Sequence, residues 1–263
     1  MTEELLVEQQ GCVLVLTLNR PGALNAVTPD MIAGIAAGLD TASRDPTTVA
    51  LVLRARGRAF CAGADLKAAR ERSGADPTGR AEAAFLDAFR RTVTALRMAP
   101  FPVVAAVQGL AVAAGIELVL ACDLVVAAES AAFGDAHANY GLLPGGGSSV
   151  LLPRRIGVSR AKYLAFTGES VPAATMRDWG LVDVLAPDAT FDARLDALLA
   201  RLANNSPLGL RRMKRLIDDG LDQPIEVALR NELVASDAHR HSHDRNEGLA
   251  AFAQKRRPIF KGV

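Results

Sequence analysis

Two short apolar runs, Val49 to Leu53 and Val103 to Val107, are each followed by a segment built almost entirely of small residues. Apolar runs this short, bounded by glycine and polar residues, read as buried strands. The first is followed by Arg58-Ala59-Phe60-Cys61-Ala62-Gly63-Ala64-Asp65-Leu66, the second by Gly109 to Gly115. Small side chains leave the main chain open to a ligand's polar atoms, so each segment is expected to offer a backbone N–H at a strand end. The second segment runs into Glu117, the only carboxylate in a long apolar neighbourhood. Two converging N–H donors beside one carboxylate are the minimum needed to stabilise an enolate and to move a proton next to it.

The 263 residues are long for one domain and short for two, so the reading is one large core with a helical addition. A net charge of +1 gives no electrostatic footprint for nucleic acid or an anionic membrane. Cys12, Cys61 and Cys122 are odd in number, stand in apolar contexts and form no C-x-x-C pair, which suits buried thiols in a reducing compartment. The acidic start, Met1-Thr2-Glu3-Glu4, does not fit a signal peptide, and the longest apolar stretch, Val103 to Val126, is broken by Gln108, Glu117 and Asp123. A cytoplasmic protein without membrane segments is therefore expected.

Leu5 to Gln9 and Cys12 to Leu18 read as a hairpin turning at Gln10-Gly11. Thr28-Pro29-Asp30 supplies an N-cap, a proline at the first helical position and an acid in the first turn, which predicts a helix over Pro29 to Arg44. Lys67 to Arg80 is read as a loop. Phe85, Phe89, Val93 and Leu96 recur at helical spacing within a helix over Arg80 to Met98. Ala113 to Cys122 is apolar nearly all round and is predicted to be a buried helix, with a strand at Leu124 to Ala127. Alternating strand and helix favour an α/β layered core. Ser148 is an N-cap candidate after Gly145-Gly146-Gly147, and short helices follow over Val158 to Thr167 and Pro172 to Trp179, with a last strand at Val182 to Leu185. From Phe191 onward the pattern is helical, over Phe191 to Ala203, Pro207 to Ile217 and Pro224 to Ala238, which divides the chain into a core at 1–190 and a helical region at 191–263.

Six segments in order resemble the crotonase family, the enoyl-CoA hydratases and isomerases. They are Asn19 to Ala26; Ala59 to Leu66; Gly115-Ile116-Glu117-Leu118 with Cys122-Asp123-Leu124; Gly141 to Gly147; Gly180-Leu181-Val182-Asp183; and Glu247 to Phe252 with Lys255 to Phe260. The resemblance spans nearly the whole chain. It implies a spiral of ββα units with a helical C-terminal trimerisation region, a homotrimer or homohexamer, an acyl-CoA substrate, and no cofactor beyond the coenzyme A of that substrate. It puts the oxyanion-hole amides at Ala64 and Ala114 and the principal acid and base at Glu117. Arg20, Ala23, Leu24, Ala62, Asp65 and Leu66 match positions lining the adenine and pantetheine of coenzyme A, and Lys255 and Phe260 the segment that approaches its nucleotide.

Two positions depart from the family's pattern. Where the hydratases carry a second glutamate this chain has His137, counted from Phe133-Gly134-Asp135; an imidazole titrates near neutrality and can act as acid or base. Ala113-Ala114-Gly115 stands where a run of glycines is common. The activity implied is hydration of a 2-enoyl-CoA, with single-glutamate isomerisation, another crotonase reaction such as decarboxylation or thioester hydrolysis, or non-catalytic CoA binding as alternatives. The bland readings are a structural buried Glu117, a hydrogen-bonded loop His137 and a cap or turn role for Asp135. Phe85 and Phe89 read as core residues that also suit the wall of an acyl pocket. Cys61 has no neighbouring histidine to make it a nucleophile. His239, His241 and His243 are placed on a charged helix as solvated side chains, and no metal site is expected.

Overall fold

The computed structural model describes residues 4–263, apart from the side chain of Ser73; the acidic start at residues 1–3 lies outside the described residues. β1 (Leu5–Gln10) and β2 (Val13–Leu18) form an antiparallel hairpin. Helix α1 (Pro29–Arg44) begins where expected: Thr28 Oγ1 accepts the Met31 amide at 3.2 Å and Pro29 fills the first turn.

Three times the chain then makes one long strand, one three-residue strand and a helix. β3 (Ala50–Ala55) is followed by β4 (Ala59–Cys61), α2 (Leu66–Ala75) and α3 (Arg80–Arg97). β5 (Val103–Val107), β6 (Leu110–Val112) and α4 (Ala114–Leu120) form the second unit. The third is β7 (Leu124–Ala128), β8 (Ala132–Gly134), a 3-10 turn at His137–Tyr140 and α5 (Ser148–Ile156). The long strands are parallel neighbours in a six-stranded sheet ordered β1-β2-β3-β5-β7-β10, with β10 at Val184–Ala186, and the short ones are parallel neighbours in a four-stranded sheet ordered β4-β6-β8-β9, with β9 at Ser170–Pro172. Between the third unit and the last strand lie α6 (Val158–Thr167), β9 (Ser170–Pro172) and α7 (Ala173–Asp178); β10 (Val184–Ala186) closes the large sheet. Each unit thus steps both sheets along by one strand.

The central strands β2, β3, β5 and β7 of the large sheet are buried on both faces. Leu14, Leu16 and Leu18 of β2 face a core shared with α1, α3 and α4, whereas Val13 and Val15 face a second apolar layer that includes Phe191 and Leu195. Those two residues belong to α8 (Phe191–Ala203), the first helix after position 190. α9 (Pro207–Leu221), α10 (Ile225–His239) and α11 (His243–Ala253) complete the chain. Lys214 of α9 ties this helical region to the core, its Nζ lying 2.6 Å from Asp123 Oδ2.

Several expectations are corrected. Residues 66–75 form a helix rather than a loop, because the Asp65 carboxylate accepts the Ala68 amide at 3.1 Å and caps it. Ser148 is the first residue of α5 and not its cap; Gly147 holds the cap position with a positive φ of 107°. His239 ends α10 and His243 begins α11, so the three histidines do not share one helix. The strand expected at Val182 to Leu185 starts two residues later, since the Asp183 carboxylate instead accepts the Val125 amide at 2.7 Å.

A very close backbone approach lies at Gly115, where a Cβ would stand 2.2 Å from the Cys61 carbonyl oxygen. Gly115→Ala is expected to cost about 1–3 kcal/mol and to lower Tm by roughly 3–10 °C in a thermal melt. Gly74→Ala, where a Cβ meets nothing within 4 Å, leaves Tm unchanged or raises it.

Candidate active site

The site is built where the two sheets' loops touch. Asn25, fully buried at a φ of 55°, accepts the Arg20 amide at 2.7 Å and donates to the carbonyls of Arg56 and Ala59 at 2.9 and 2.8 Å. The loop it holds pairs with the segment after β4: the Ala62 amide donates to Leu24 O, Val27 N to Gly63 O, and Asp65 N to Val27 O. These bonds use the Gly63 carbonyl and the Asp65 amide on either side of Ala64 and leave the Ala64 amide without a partner among the described residues. Ala114 is the first residue of α4, where an amide has no intrahelical acceptor, and it too has none. The two loops are in contact: a Cβ on Gly63 would sit 3.2 Å from the Ala113 Cβ. Ala64 and Ala114 line one cavity of about 890 Å³.

Both donors follow the short strands β4 and β6 rather than the long strands β3 and β5. Ala113 adopts φ 49° and ψ −119°, unusual for a residue with a Cβ, and its amide is held by the carbonyls of Gly134 and Asp135.

Glu117, one turn into α4, is 1 % exposed and lines the same cavity. Its Oε1 accepts the amides of Gly146 and Ser148 at 2.7 and 3.1 Å, while Oε2 has no protein partner among the described residues. Burial pushes its carboxyl above the ordinary range, against the opposing pull of the Ser148 amide, the His137 charge and the Gly146 amide. A Cβ on Gly146 would lie 2.4 Å from Phe89 and 2.8 Å from Glu117 Oε2, so only glycine fits.

His137 also lines the cavity. Its Nδ1 lies 2.9 Å from Asp135 Oδ1, and the other Asp135 oxygen accepts the Ser148 hydroxyl. Burial alone would lower the imidazole's pKa, but the Asp135 hydrogen bond and charge, with the Glu117 charge, outweigh it and the net shift is upward. Burial likewise opposes Asp135, whose bonds to His137 and Ser148 hold it below its usual value. With Nδ1 committed to Asp135, Nε2 is the nitrogen left to the cavity. Ser148 therefore joins both groups, its amide on Glu117 and its hydroxyl on the carboxylate that holds His137.

Gly146 and Ser148 were missed as site residues in the sequence, where the glycine run served only to introduce a helix and Ser148 only to cap it; their contact with Glu117 is made across 29 and 31 residues and has no local signal. Ala62 and Leu66 line the cavity, whereas Arg20, Ala23, Leu24 and Asp65 do not. Arg20 is bound to Glu4, Asp65 and the Ala26 carbonyl. Lys255 and Phe260 are not lining residues; they belong to the terminal segment folded back on α11, where Arg256 pairs with Glu247. Burial pushes the Cys61 thiol up to about 12, which keeps it protonated and unreactive. Among the described residues no group of three His, Cys, Asp or Glu is placed to hold a metal ion, and no helix is long and apolar enough to cross a membrane.

A profile of the enoyl-CoA hydratase/isomerase family matches residues 8–263. The chain belongs to this family, the crotonases. It is 37% identical to the 2,3-dehydroadipyl-CoA hydratase of Escherichia coli over 98% of this chain and 99% of that one. It is 36% identical to the 1,2-epoxyphenylacetyl-CoA isomerase of the same organism over the full length of both. A crystal structure of an enoyl-CoA hydratase from Bacillus anthracis superposes with a TM-score of 0.92 at 33% identity, covering 99% of this chain and 100% of that one. The two sheets and C-terminal helices are thus the crotonase fold, and the chain is a crotonase-family enzyme.

The Asp135–His137 contact makes a measurable demand. The His137 titration midpoint, followed by NMR, is expected above the ordinary imidazole value and to fall in Asp135→Asn. Because the folded value is raised, the stability this contact adds is present below the unfolded imidazole value and is lost as pH rises through the folded one.

Proposed function

We propose that this crotonase is a 2-enoyl-CoA hydratase using Glu117 and His137 as a pair. One observation carries the reading: two proton-carrying side chains share a cavity with two unpartnered amides. The thioester carbonyl oxygen accepts the Ala64 and Ala114 amides, which stabilise the charge it gains as the enolate forms. Water adds to C3 as Glu117 Oε2 takes its proton, and the His137 imidazolium returns a proton to C2. The opposed tendencies suit these roles, since the Asp135 charge favours the imidazolium and the two amides on Oε1 favour the carboxylate. Coenzyme A is placed along Ala62 and Leu66, with Arg20 and Asp65 fixing the loop that presents them. Relatives named as hydratases support the choice.

A second reading is double-bond isomerisation by Glu117 alone, favoured by its single free oxygen and by a relative from Mycosarcoma maydis named an enoyl-CoA isomerase/hydratase. Crotonyl-CoA and a 3-enoyl-CoA separate the two. Loss of the conjugated thioester absorbance with crotonyl-CoA is the expected result; wild-type protein that only isomerises the 3-enoyl substrate overturns the hydratase assignment. Glu117→Gln and His137→Gln are each expected to lower hydration kcat by about 10²–10⁴-fold. The wild-type profile is bell-shaped, with an acid limb above the usual carboxylate range from Glu117 and an alkaline limb above the usual imidazole value from His137. His137→Gln loses the alkaline limb.

The assembly is proposed to be a homotrimer or homohexamer. α10 buries no residue of its own chain and exposes Ile225, Leu229, Leu233 and Val234. Light scattering is expected to give three or six chains; a stable monomer would remove the role assigned to this helix.

A further inference from the structure

A second cavity of about 580 Å³ lies between α1 and α3, lined chiefly by apolar atoms of residues such as Ile32, Ala36, Ala84 and Ala88. One residue belongs to its wall and to that of the active cavity: Phe85, buried, on α3. Phe85 stands one turn from Phe89, the ring packed beside Gly146 and Glu117. An acyl chain that passes Glu117 along α3 therefore meets Phe89 and then Phe85.

The far side of the Phe85 ring is covered by Arg72 of α2, its guanidinium 4.4 Å from the ring centroid, and Arg72 lines the second cavity. Arg72 Nε bonds Glu82, one turn before Phe85, at 3.0 Å, in a pair that is 20% and 32% exposed. Arg72 Nη2 is buried without a partner among the described residues. A partly exposed ion pair of this kind adds little stability, and none of the described side chains of α2 is buried. The cover thus rests on a helix held by few buried contacts, whereas the ring itself belongs to the well-buried stripe of α3.

We infer that Phe85 is the partition that sets acyl length: its ring closes the active cavity against short acyl groups, and the second cavity takes the distal methylenes of longer ones when the ring is displaced. This rests on an acyl-CoA thioester filling the active cavity. The occupant is an unbranched hydrocarbon tail, because the second cavity is lined chiefly by the apolar atoms of alanines and Ile32 and meets the active cavity at the Phe85 ring.

The test uses binding rather than turnover. Calorimetric titration of the purified protein with butyryl-, octanoyl- and dodecanoyl-CoA, none of which can react, reads chain length directly. In Phe85→Ala the affinity is expected to go on rising past the length at which the wild type levels off, by about fourfold for each methylene that becomes buried. Adding Ala88→Phe, which fills the second cavity, cancels that gain. Phe85→Leu, a smaller change, moves in the same direction and serves where the alanine variant fails to fold. A Phe85→Leu or Phe85→Ala series parallel to the wild type, or a gain that survives Ala88→Phe, overturns the assignment. Failure to hydrate crotonyl-CoA would sink the hydratase reading and leave this length series unchanged.

Discussion

The contact on which the rest of this structure depends is the packing of Gly115 on the carbonyl of Cys61. No side chain fits there, since a Cβ would stand 2.2 Å from the oxygen. Because α4 can begin this close to the end of β4, two backbone amides from segments about fifty residues apart face one cavity. The same economy of side chains recurs at Gly109, whose Cβ would lie 2.0 Å from the Arg58 carbonyl. The approach has a conformational cost. Ala113 is held at a φ where a residue with a methyl group costs on the order of 1–3 kcal/mol, and the carbonyls of Gly134 and Asp135 fix its amide there. Strain at that point sets the direction of the next amide, Ala114.

Around this frame the charged groups are connected rather than merely adjacent. Glu117 and Asp135 are both buried, and an unpaired buried charge is expensive. Glu117 is offset by the Gly146 and Ser148 amides, Asp135 by the Ser148 hydroxyl and His137. Every acceptor thus satisfied inside the wall leaves one free position toward the cavity, Oε2 on Glu117 and Nε2 on His137. The low dielectric that makes such a network costly when broken also makes the two free positions effective.

Much of this was legible from residue pattern. Thr28-Pro29-Asp30 marked the start of α1, and Phe85, Phe89, Val93 and Leu96 marked the buried stripe of α3, because both signals are local. The small-residue segments and Glu117 were legible as a site because small side chains and an isolated acid are rare together in apolar surroundings. The three-residue strands β4, β6 and β8 were not, since three residues cannot display a period. α2 was read as a loop because it has no apolar stripe; its cap at Asp65 and its tie from Arg72 to Glu82 are formed with partners outside the segment. Ser148 was misplaced for a related reason. As a local signal it suggests a cap, but the glycine before it takes that position and frees its hydroxyl for Asp135.

In the proposed reaction, an imidazole at position 137 is a different device from a second carboxylate. Two buried carboxylates repel, so one must be protonated before the other can ionise, and the division of labour is set by which one holds the proton. Here the partner charge is opposite. An imidazolium at His137 favours the ionised Glu117, and the ionised Glu117 in turn favours the imidazolium, so base and acid are poised at the same pH. Asp135 tips the balance, because its charge stabilises the cationic form of the ring more than the neutral one. Neutralising either member weakens the other, which makes the two groups one titrating unit in which protonation of Glu117 and deprotonation of His137 disable the site from opposite sides.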